Sequence, residues 1–169
     1  SILHNSADAS EDAVLLTGTA APQPGMATDL FLSEYVEGSS NKKAIEIFNG
    51  TGAPVDLANY SLKKQTNGVG DFGNELVLNG TLAHNDVYVI VLSSTSGTTL
   101  VGEPYVDLAT TSSVVSFNGN DCVALYHSGT QIDVVGIVNQ ATNWGADVTL
   151  VRKSSITSPT VSFSFDDWD

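Results

Sequence analysis

Short runs of apolar residues, alternating with polar residues or continuous over a few positions, recur along most of this chain. Clusters of Gly, Asn, Asp and Ser separate the runs, a pattern typical of short β-strands joined by turns. The run from Asp86 to Leu92 is apolar on both faces and predicts a central strand. No amphipathic helix with caps is indicated, and one short turn is expected near 107–113. Strands are predicted near 13–18, 29–36, 43–49, 60–65, 75–78, 86–93, 114–117, 121–127, 131–138 and 148–153.

Gly-containing pairs mark the predicted turns. Asn-Gly occurs at 49–50, 67–68, 79–80 and 118–119, and Ser128-Gly129 separates two strand-like runs. Asn and Gly both tolerate the positive φ that tight hairpin turns require. Ten short strands with frequent turns therefore predict an all-β fold, a β-sandwich.

The first 25 residues form a distinct piece of sequence. Two strand-like runs, 1–5 and 13–20, are followed by a linker-like run with two prolines at 21–25. The pattern His4-Asn5 followed by Leu16-Thr17-Gly18-Thr19 resembles the closing hairpin of immunoglobulin-like repeats in bacterial surface proteins. We expect 1–25 to be either the tail of a preceding module or a strand pair docked on the main domain. The main β-sandwich is expected over 26–169.

The charge of the chain limits its partners. Nineteen acidic residues against six basic ones give a formal net charge of −13. Such a surface disfavours nucleic acids and anionic membranes, because binding to both depends on Lys and Arg. Divalent cations such as Ca²⁺ are its natural counterions, although acidity can also serve solubility alone. No run of 18 apolar residues occurs, so no membrane span is predicted.

No catalytic constellation is found in the sequence. The three histidines (His4, His84 and His127) are scattered, and no G-x-S-x-G motif is present. Cys122, the only cysteine, lies in a strand-like run and is expected to be a buried, unreactive thiol. The letters G-x-G-x-x-G occur at 68–73, but a strand-like run follows where a dinucleotide site needs a helix. The chain is therefore predicted not to be an enzyme.

One segment, 30–51, carries a recognisable family pattern, beginning Leu30-Phe31-Leu32-Ser33-Glu34-Tyr35 and continuing through Ala44-Ile45-Glu46-Ile47-Phe48-Asn49-Gly50. It is similar to the opening of the bacterial lamin-tail domain, and Val55-Asp56-Leu57 followed by Tyr60-Ser61-Leu62 continues the likeness. Further anchors lie at 78–82, 87–90, 117–125, 132–136, 144–145 and 149–153. The resemblance covers 29–153, about three quarters of the chain.

The resemblance implies an immunoglobulin-like antiparallel β-sandwich. Bacterial members resemble appendages of secreted or surface proteins, including extracellular nucleases and phosphatases, in which catalysis belongs to another domain. Animal lamin tails use basic surfaces toward DNA, whereas this chain is acidic, so DNA binding is not carried over.

Glu34 and Glu46 are the leading candidates for an ion or ligand site. Each lies within an apolar strand-like run, where an unpaired carboxylate is costly to bury. If the two strands are neighbours, the acids can share a calcium ion or pair with Lys42 or Lys43. The alternatives are that both point to water or accept hydrogen bonds from backbone amides.

Two loops and one aromatic residue are further candidates. Asn118 with Asp121, and the loop around Asp71, are rich in oxygen ligands, but their spacing does not match an EF-hand. Stabilisation of turns is the alternative for both loops. Trp144 is either a surface aromatic that stacks on a sugar or a cap on the sandwich core. The acidic run 166–169 is expected to be a solvated tail or a module junction.

These features predict a non-catalytic binding or anchoring module of a larger exported protein, located in the periplasm, on the cell surface or outside the cell. Its partners would be neighbouring domains of the parent protein and an extracellular ligand. A structural spacer between domains is the alternative, and a hydrolase in its own right is a third possibility.

Overall fold

The computed structural model describes residues 26–95 and 99–169. The strand predicted at 13–18, and the predicted hairpin and linker over 1–25, lie outside these residues. The eleven strands of the described residues are β1 (Phe31–Glu37), β2 (Lys43–Phe48), β3 (Val55–Asp56), β4 (Tyr60–Gln65), β5 (Gly73–Val77), β6 (Thr81–Leu82), β7 (Val87–Leu92), β8 (Leu108–Thr110), β9 (Cys122–His127), β10 (Thr130–Val135) and β11 (Val148–Val151). The helices among them are short 3-10 helices at Leu57–Asn59, Thr66–Gly68, Ser113–Val115 and Phe165–Asp167.

The strands form two main sheets. One has five strands in the order β11-β1-β2-β7-β8, the other has four in the order β10-β9-β4-β5, and β3 pairs with β6. Every pairing is antiparallel except that of β7 with β8, which is parallel. The predicted all-β fold is confirmed, and β7 is an inner strand of its sheet as its two-sided apolar sequence indicated.

An apolar core joins the two sheets. Side chains alternate between the faces of a strand, so every second residue points inward. Ile45 and Ile47 of the five-stranded sheet share one buried cluster with Leu62 and Leu125 of the four-stranded sheet. The two sheets therefore stack as a sandwich.

One predicted strand is absent. Residues Ser113–Val115 form a 3-10 helix where a strand was predicted at 114–117, and the predicted turn region 107–113 contains β8. Ser112 caps this helix by accepting a hydrogen bond from the Val114 amide at 3.3 Å. Val114 and Val115 still reach the core, which explains their apolar sequence.

The end of the chain is packed against the sandwich, and the predicted solvated tail at 166–169 is wrong in this respect. Trp168 is only 4% exposed and forms a bridge with Arg152. The backbones of Val151 and Asp169 exchange two hydrogen bonds of 3.0 and 2.8 Å. The segment thus extends the five-stranded sheet beyond β11.

No helix in the described part of the chain is long and apolar enough to cross a membrane.

Candidate functional site

Glu34 and Glu46 lie directly opposite each other on β1 and β2. A bulge at Ser33 shifts the register between Leu32 and Glu34 and turns Glu34 away from the core, whereas Glu46 faces outward because it alternates with the inward-facing Ile45 and Ile47. On this outer face of the five-stranded sheet they are surrounded by a second apolar cluster: Ala27, Phe31, Val36, Ala44, Phe48, Val87, Val89, Val91 and Leu100. The structure thus places the two leading candidates together, as expected for neighbouring strands.

Both carboxylates are buried in apolar surroundings. Glu34 is 4% exposed and Glu46 is 8% exposed. Burial, together with the nearby Glu46 charge, raises the pKa of Glu34 to about 9. Burial also raises the pKa of Glu46, against a lowering contribution from the Ser33 hydroxyl, which donates to Glu46 Oε1 at 2.7 Å. Glu34 Oε1 is buried, and no residue within 26–95 or 99–169 forms a hydrogen bond with it.

Lys43, one of the two lysines predicted to pair with Glu34 and Glu46, pairs with another glutamate instead. Its Nζ forms an ion pair with Glu37 and donates to the Gly38 carbonyl at 2.6 Å. Glu37 also accepts a hydrogen bond from the Asp147 amide. Over the described residues, no group of three or more His, Cys, Asp or Glu side chains is arranged to hold a metal ion.

Asp121 organises the loops around it. Its carboxylate accepts hydrogen bonds from the Asn67 amide at 2.6 Å and the Asn118 amide at 3.1 Å, and lies 3.3 Å from Lys64 Nζ. The Asn118 side chain accepts from the Asn120 amide at 3.3 Å. Because Asp121 is 2% exposed and has these donors, the geometry favours turn stabilisation over metal binding.

Asp71 and Trp144 occupy different settings. Asp71 is exposed in a loop that leads directly into β5, so the G-x-G-x-x-G letters open no helix. Trp144 is half-buried and packs on Tyr35 and Phe163, with ring centroids 5.5 and 5.4 Å apart. Its packing favours the core-cap alternative over an exposed stacking platform.

A buried ion pair that the sequence did not indicate ties the two sheets together. Asp133 of β10 is fully buried and accepts from the Leu32 amide at 2.8 Å and from Arg152 NH2 at 2.7 Å. Arg152 in turn stacks 4.5 Å from the Trp168 ring. Burial raises the pKa of Asp133, and Arg152 and the amide donors oppose that rise. These contacts join β1, β10 and the end of β11.

A second unpredicted cluster lies where the chain enters β1. The Asp29 carboxylate accepts from the Tyr60 hydroxyl at 2.6 Å and lies 2.8 Å from His127 Nδ1. The His127 and Tyr60 rings stack with centroids 4.2 Å apart.

Cys122 lies five residues from His127 along β9, about 16 Å away. It is fully buried as predicted, and burial raises its pKa to about 12, so the two do not form a thiol–imidazole pair.

The outer face of the four-stranded sheet carries polar and aromatic side chains next to one another. Ser61 lies between Tyr126 of β9 and Val77 of β5, and Lys63 lies next to Glu75. Ser61 Oγ donates to Glu75 Oε1 at 2.7 Å, which lowers the pKa of Glu75. Lys63 Nζ lies 3.5 Å from the same oxygen and 4.7 Å from the centroid of the Tyr126 ring. We call these five residues the four-stranded face.

Sequence patterns could have suggested some of these positions. In the run Tyr60-Ser61-Leu62-Lys63, polar residues alternate with aromatic or apolar ones. This alternation predicts a strand with one polar face, which carries Ser61 and Lys63. Asp133 and Arg152 are separated by 19 residues and meet only after the sheets stack, so no local pattern identifies them.

A family model described as Lamin Tail Domain matches residues 23–139. A comparison with curated proteins found no match. The matched range contains β1 to β10 and therefore most of both sheets. It covers more than half of the chain and agrees with the observed sandwich. The chain belongs to the lamin tail domain family, whose members are generally non-catalytic immunoglobulin-like modules.

Proposed function

We propose that this domain is a non-catalytic binding or anchoring module of a larger secreted or cell-surface protein, and that it binds through the four-stranded face. The observation that supports this proposal is the composition of that face. An aromatic ring, an exposed valine and a fixed Lys–Ser–Glu network lie side by side there. Val77 is 60% exposed, and the Glu75 side chain is 48% exposed.

The chemistry of the face suits a polymer with both apolar and hydrogen-bonding groups. Tyr126 and Val77 offer apolar surface, while Lys63 and Glu75 offer a donor and an acceptor held in place by Ser61. Preorganised polar groups reduce the entropy lost on binding. Lys63 also balances the charge of Glu75, so this face need not repel a neutral or weakly acidic ligand.

A binding panel tests this proposal. The full chain would be titrated with extracellular glycans, surface proteins, duplex DNA and CaCl₂ in a calorimeter. We expect binding to at least one extracellular polymer and none to DNA, because the net charge of −13 repels phosphates. Tyr126→Ser should weaken that binding about tenfold, equivalent to about 1.4 kcal/mol.

Val101→Ser is the matched control. Val101 is also an exposed apolar residue, at 44%, but it lies in the connection from β7 to β8. Its substitution should leave the affinity unchanged. Binding that is lost equally in both variants, or no binding to any polymer, would contradict the proposal.

The parent protein that we propose is an extracellular nuclease or phosphatase with a separate catalytic domain, which this module would hold at the cell surface or on an extracellular polymer. In a protein that includes the catalytic domain, activity on a substrate presented together with the bound polymer should exceed activity on a free substrate, and Tyr126→Ser should abolish that difference. Equal activity on both substrates would count against an anchoring role.

A spacer between domains is the second candidate. The proline-containing run 21–25 leads directly to Ala27, whose amide is fixed to the Gly50 carbonyl at 2.9 Å. Because Ala27 is fixed to the sandwich, a preceding domain joined close to this residue would be oriented by it. A higher melting temperature in a tandem protein that includes that domain would support this role, and independent melting of the two domains would oppose it.

A further inference from the structure

β5 is the most exposed edge strand of the two main sheets. Four of its five residues are exposed, whereas β8 and β10 have one exposed residue each and β11 has none. The end of the chain extends the sheet beyond β11, and the backbone of residues 160–161 is hydrogen-bonded to side chains of β10. An edge strand that stays open presents unpaired backbone N–H and C=O groups to another extended chain.

The hydrogen bonds between β4 and β5 fix which backbone groups of β5 are open. The Leu78 amide donates to the Tyr60 carbonyl at 2.9 Å, at the end of a continuous antiparallel register. In such a pair, residues that bond to the partner strand alternate with residues whose N–H and C=O point away from it. By this alternation Leu76 bonds to β4, whereas the N–H and C=O groups of Glu75 and Val77 point outward at the free edge.

The other side of β4 agrees with this assignment. The Ser128 amide donates to the Asn59 carbonyl at 2.8 Å, so the odd-numbered residues of β4 bond to β9 and the even-numbered ones to β5. Within 26–95 and 99–169, no backbone hydrogen bond reaches the outward groups of β5. A Cβ added at Gly73 or at Gly80 would have nothing within 4 Å, so there is open space near both ends of the strand.

The side chains along this edge indicate the chemistry of a partner. Val77 is 60% exposed and the Glu75 side chain is 48% exposed, whereas Leu76 alternates with them and packs against the core. Ser61 and Lys63 both contact Oε1 of Glu75, and an exposed carboxylate can accept further donors. A partner strand with a basic residue opposite Glu75 and apolar residues opposite the other two would match all three positions.

We propose that the free edge of β5 binds an extended, positively charged segment of a partner protein, which adds to the four-stranded sheet as an antiparallel fifth strand. Backbone hydrogen bonds to Glu75 and Val77 supply the affinity, and the side chains of the edge select the sequence. The net charge of −13 attracts a cationic segment and opposes a second copy of this chain.

This inference goes beyond the proposed function. Binding through the four-stranded face uses side chains, whereas binding at the edge uses backbone groups and requires a polypeptide partner. Glu75 and Val77 belong to both surfaces, so the experiment has to separate the edge from the face.

Hydrogen exchange measured by NMR on the full chain tests the edge. The probe is the peptide acetyl-Thr-Val-Ile-Lys-Thr-amide, whose central Val, Ile and Lys lie opposite Val77, Leu76 and Glu75 in the antiparallel register. At a peptide concentration of about ten times Kd, the amides of Glu75 and Val77 should exchange about tenfold more slowly, and that of Leu76 should not change. A peptide with Glu in place of Lys should bind about fivefold more weakly.

Methylation of the peptide backbone provides the matched control. N-methylation at Lys removes an N–H that faces β5 and should weaken binding at least about tenfold, whereas N-methylation at Ile alters an N–H that faces away and should change the affinity less than about twofold. On the protein, Val77→Pro removes an outward N–H and keeps the bonds to β4, because proline is tolerated on an edge strand. It should weaken binding as much as N-methylation at Lys does. If this variant does not fold, the two methylated peptides decide the question on the wild type.

The remaining outcomes separate this inference from the proposed function. Equal weakening by both methyl groups, or unchanged exchange of the Glu75 and Val77 amides, would overturn the edge site. Loss of peptide binding in Tyr126→Ser with full binding in Val77→Pro would place the peptide on the four-stranded face and would also overturn it. A dimer that Val77→Pro dissociates would assign the edge to a second copy, with the same consequence. Peptide binding at the edge with no polymer bound to the face would support the inference and contradict the proposed function.

Discussion

At the scale of single residues, the pair Glu34 and Glu46 is the least expected feature of the fold. Two acids directly opposite each other on neighbouring strands repel, and apolar surroundings strengthen that repulsion. Protonation of Glu34 removes one of the two charges and so lowers this cost. Its pKa of about 9 keeps it protonated at neutral pH. Stability should therefore depend on pH through this pair.

Glu34→Gln is expected to reduce the pH dependence of stability. The folded-state pKa of Glu34 lies above its ordinary value of 4.5, so its contribution to stability is fully present below pH 4.5 and is lost as pH rises through about 9. One proton gives a slope of about 1.4 kcal/mol per pH unit in this window. The variant lacks this titration, so its unfolding free energy, measured in urea between pH 5 and 8.5, should exceed that of the wild type increasingly with pH.

Glu75→Gln is the control for that experiment. Glu75 is exposed and its pKa is lowered by the Ser61 hydrogen bond, so its contribution is lost only as pH falls through the acidic range. Its substitution should leave the slope above pH 5 unchanged. Equal slopes in Glu34→Gln and wild type would show that Glu34 ionises normally.

The sequence could place these two residues but not describe their state. Acids within apolar runs are visible in the sequence, and two strands that follow each other along the chain are expected to pair. Which face Glu34 occupies depends on the bulge at Ser33, because a bulge of one residue reverses the faces beyond it. Asp133 was missed for a related reason, since its partner Arg152 comes from the other sheet.

At the scale of elements, the Gly-containing pairs show what turn signals can and cannot predict. Ser128-Gly129 is a two-residue hairpin with φ of 49° and 80°, as predicted. Asn67-Gly68 instead lies in a 3-10 helix within a longer loop, held by Asp121. Asn49 is fully buried and donates to the carbonyls of Ala53 and Leu82. Positive φ occurs at 67–68, at Gly80 and at 128–129 but at neither residue of 49–50 or 118–119, so the conformation of each pair depends on its tertiary contacts.

Gly68→Ala should destabilise the domain by about 1–3 kcal/mol in urea unfolding. Gly68 has a φ of +60°, and an added Cβ would lie 2.0 Å from the Gln140 carbonyl oxygen. The substitution would strain the backbone at residue 68 and push the loop at 139–141 out of its packed position. Gly70→Ala isolates the first effect, because Gly70 has a φ of +73° with nothing within 4 Å of the added atom. A loss no larger than that of Gly70→Ala would mean that the loop moves aside freely.

At the scale of the whole molecule, the sandwich extends beyond the residues that the family model matches. The family model ends at residue 139, yet β11 pairs with β1 and supplies Arg152 to the ion pair between the sheets. The final residues then pair with β11. An acidic sequence with one Trp gave no local signal of this docking, because the Trp site is created by Arg152 and by the aromatic residues of the preceding segment.

Trp168→Ala should therefore lower the unfolding free energy by about 3–5 kcal/mol, as expected for a buried Trp. The loss has two parts: the apolar cluster around Phe163 opens, and the guanidinium of Arg152 loses the ring that it stacks on at 4.5 Å. Trp168→Phe should restore part of the stability by retaining an aromatic face. Phe165→Ala is the matched control, because Phe165 is 48% exposed in the same segment and its removal should cost much less. Urea unfolding followed by far-ultraviolet circular dichroism measures all three. If Trp168→Ala were as stable as Phe165→Ala, the end of the chain would contribute little to the sandwich in solution, and the domain would be confined to the strands before it.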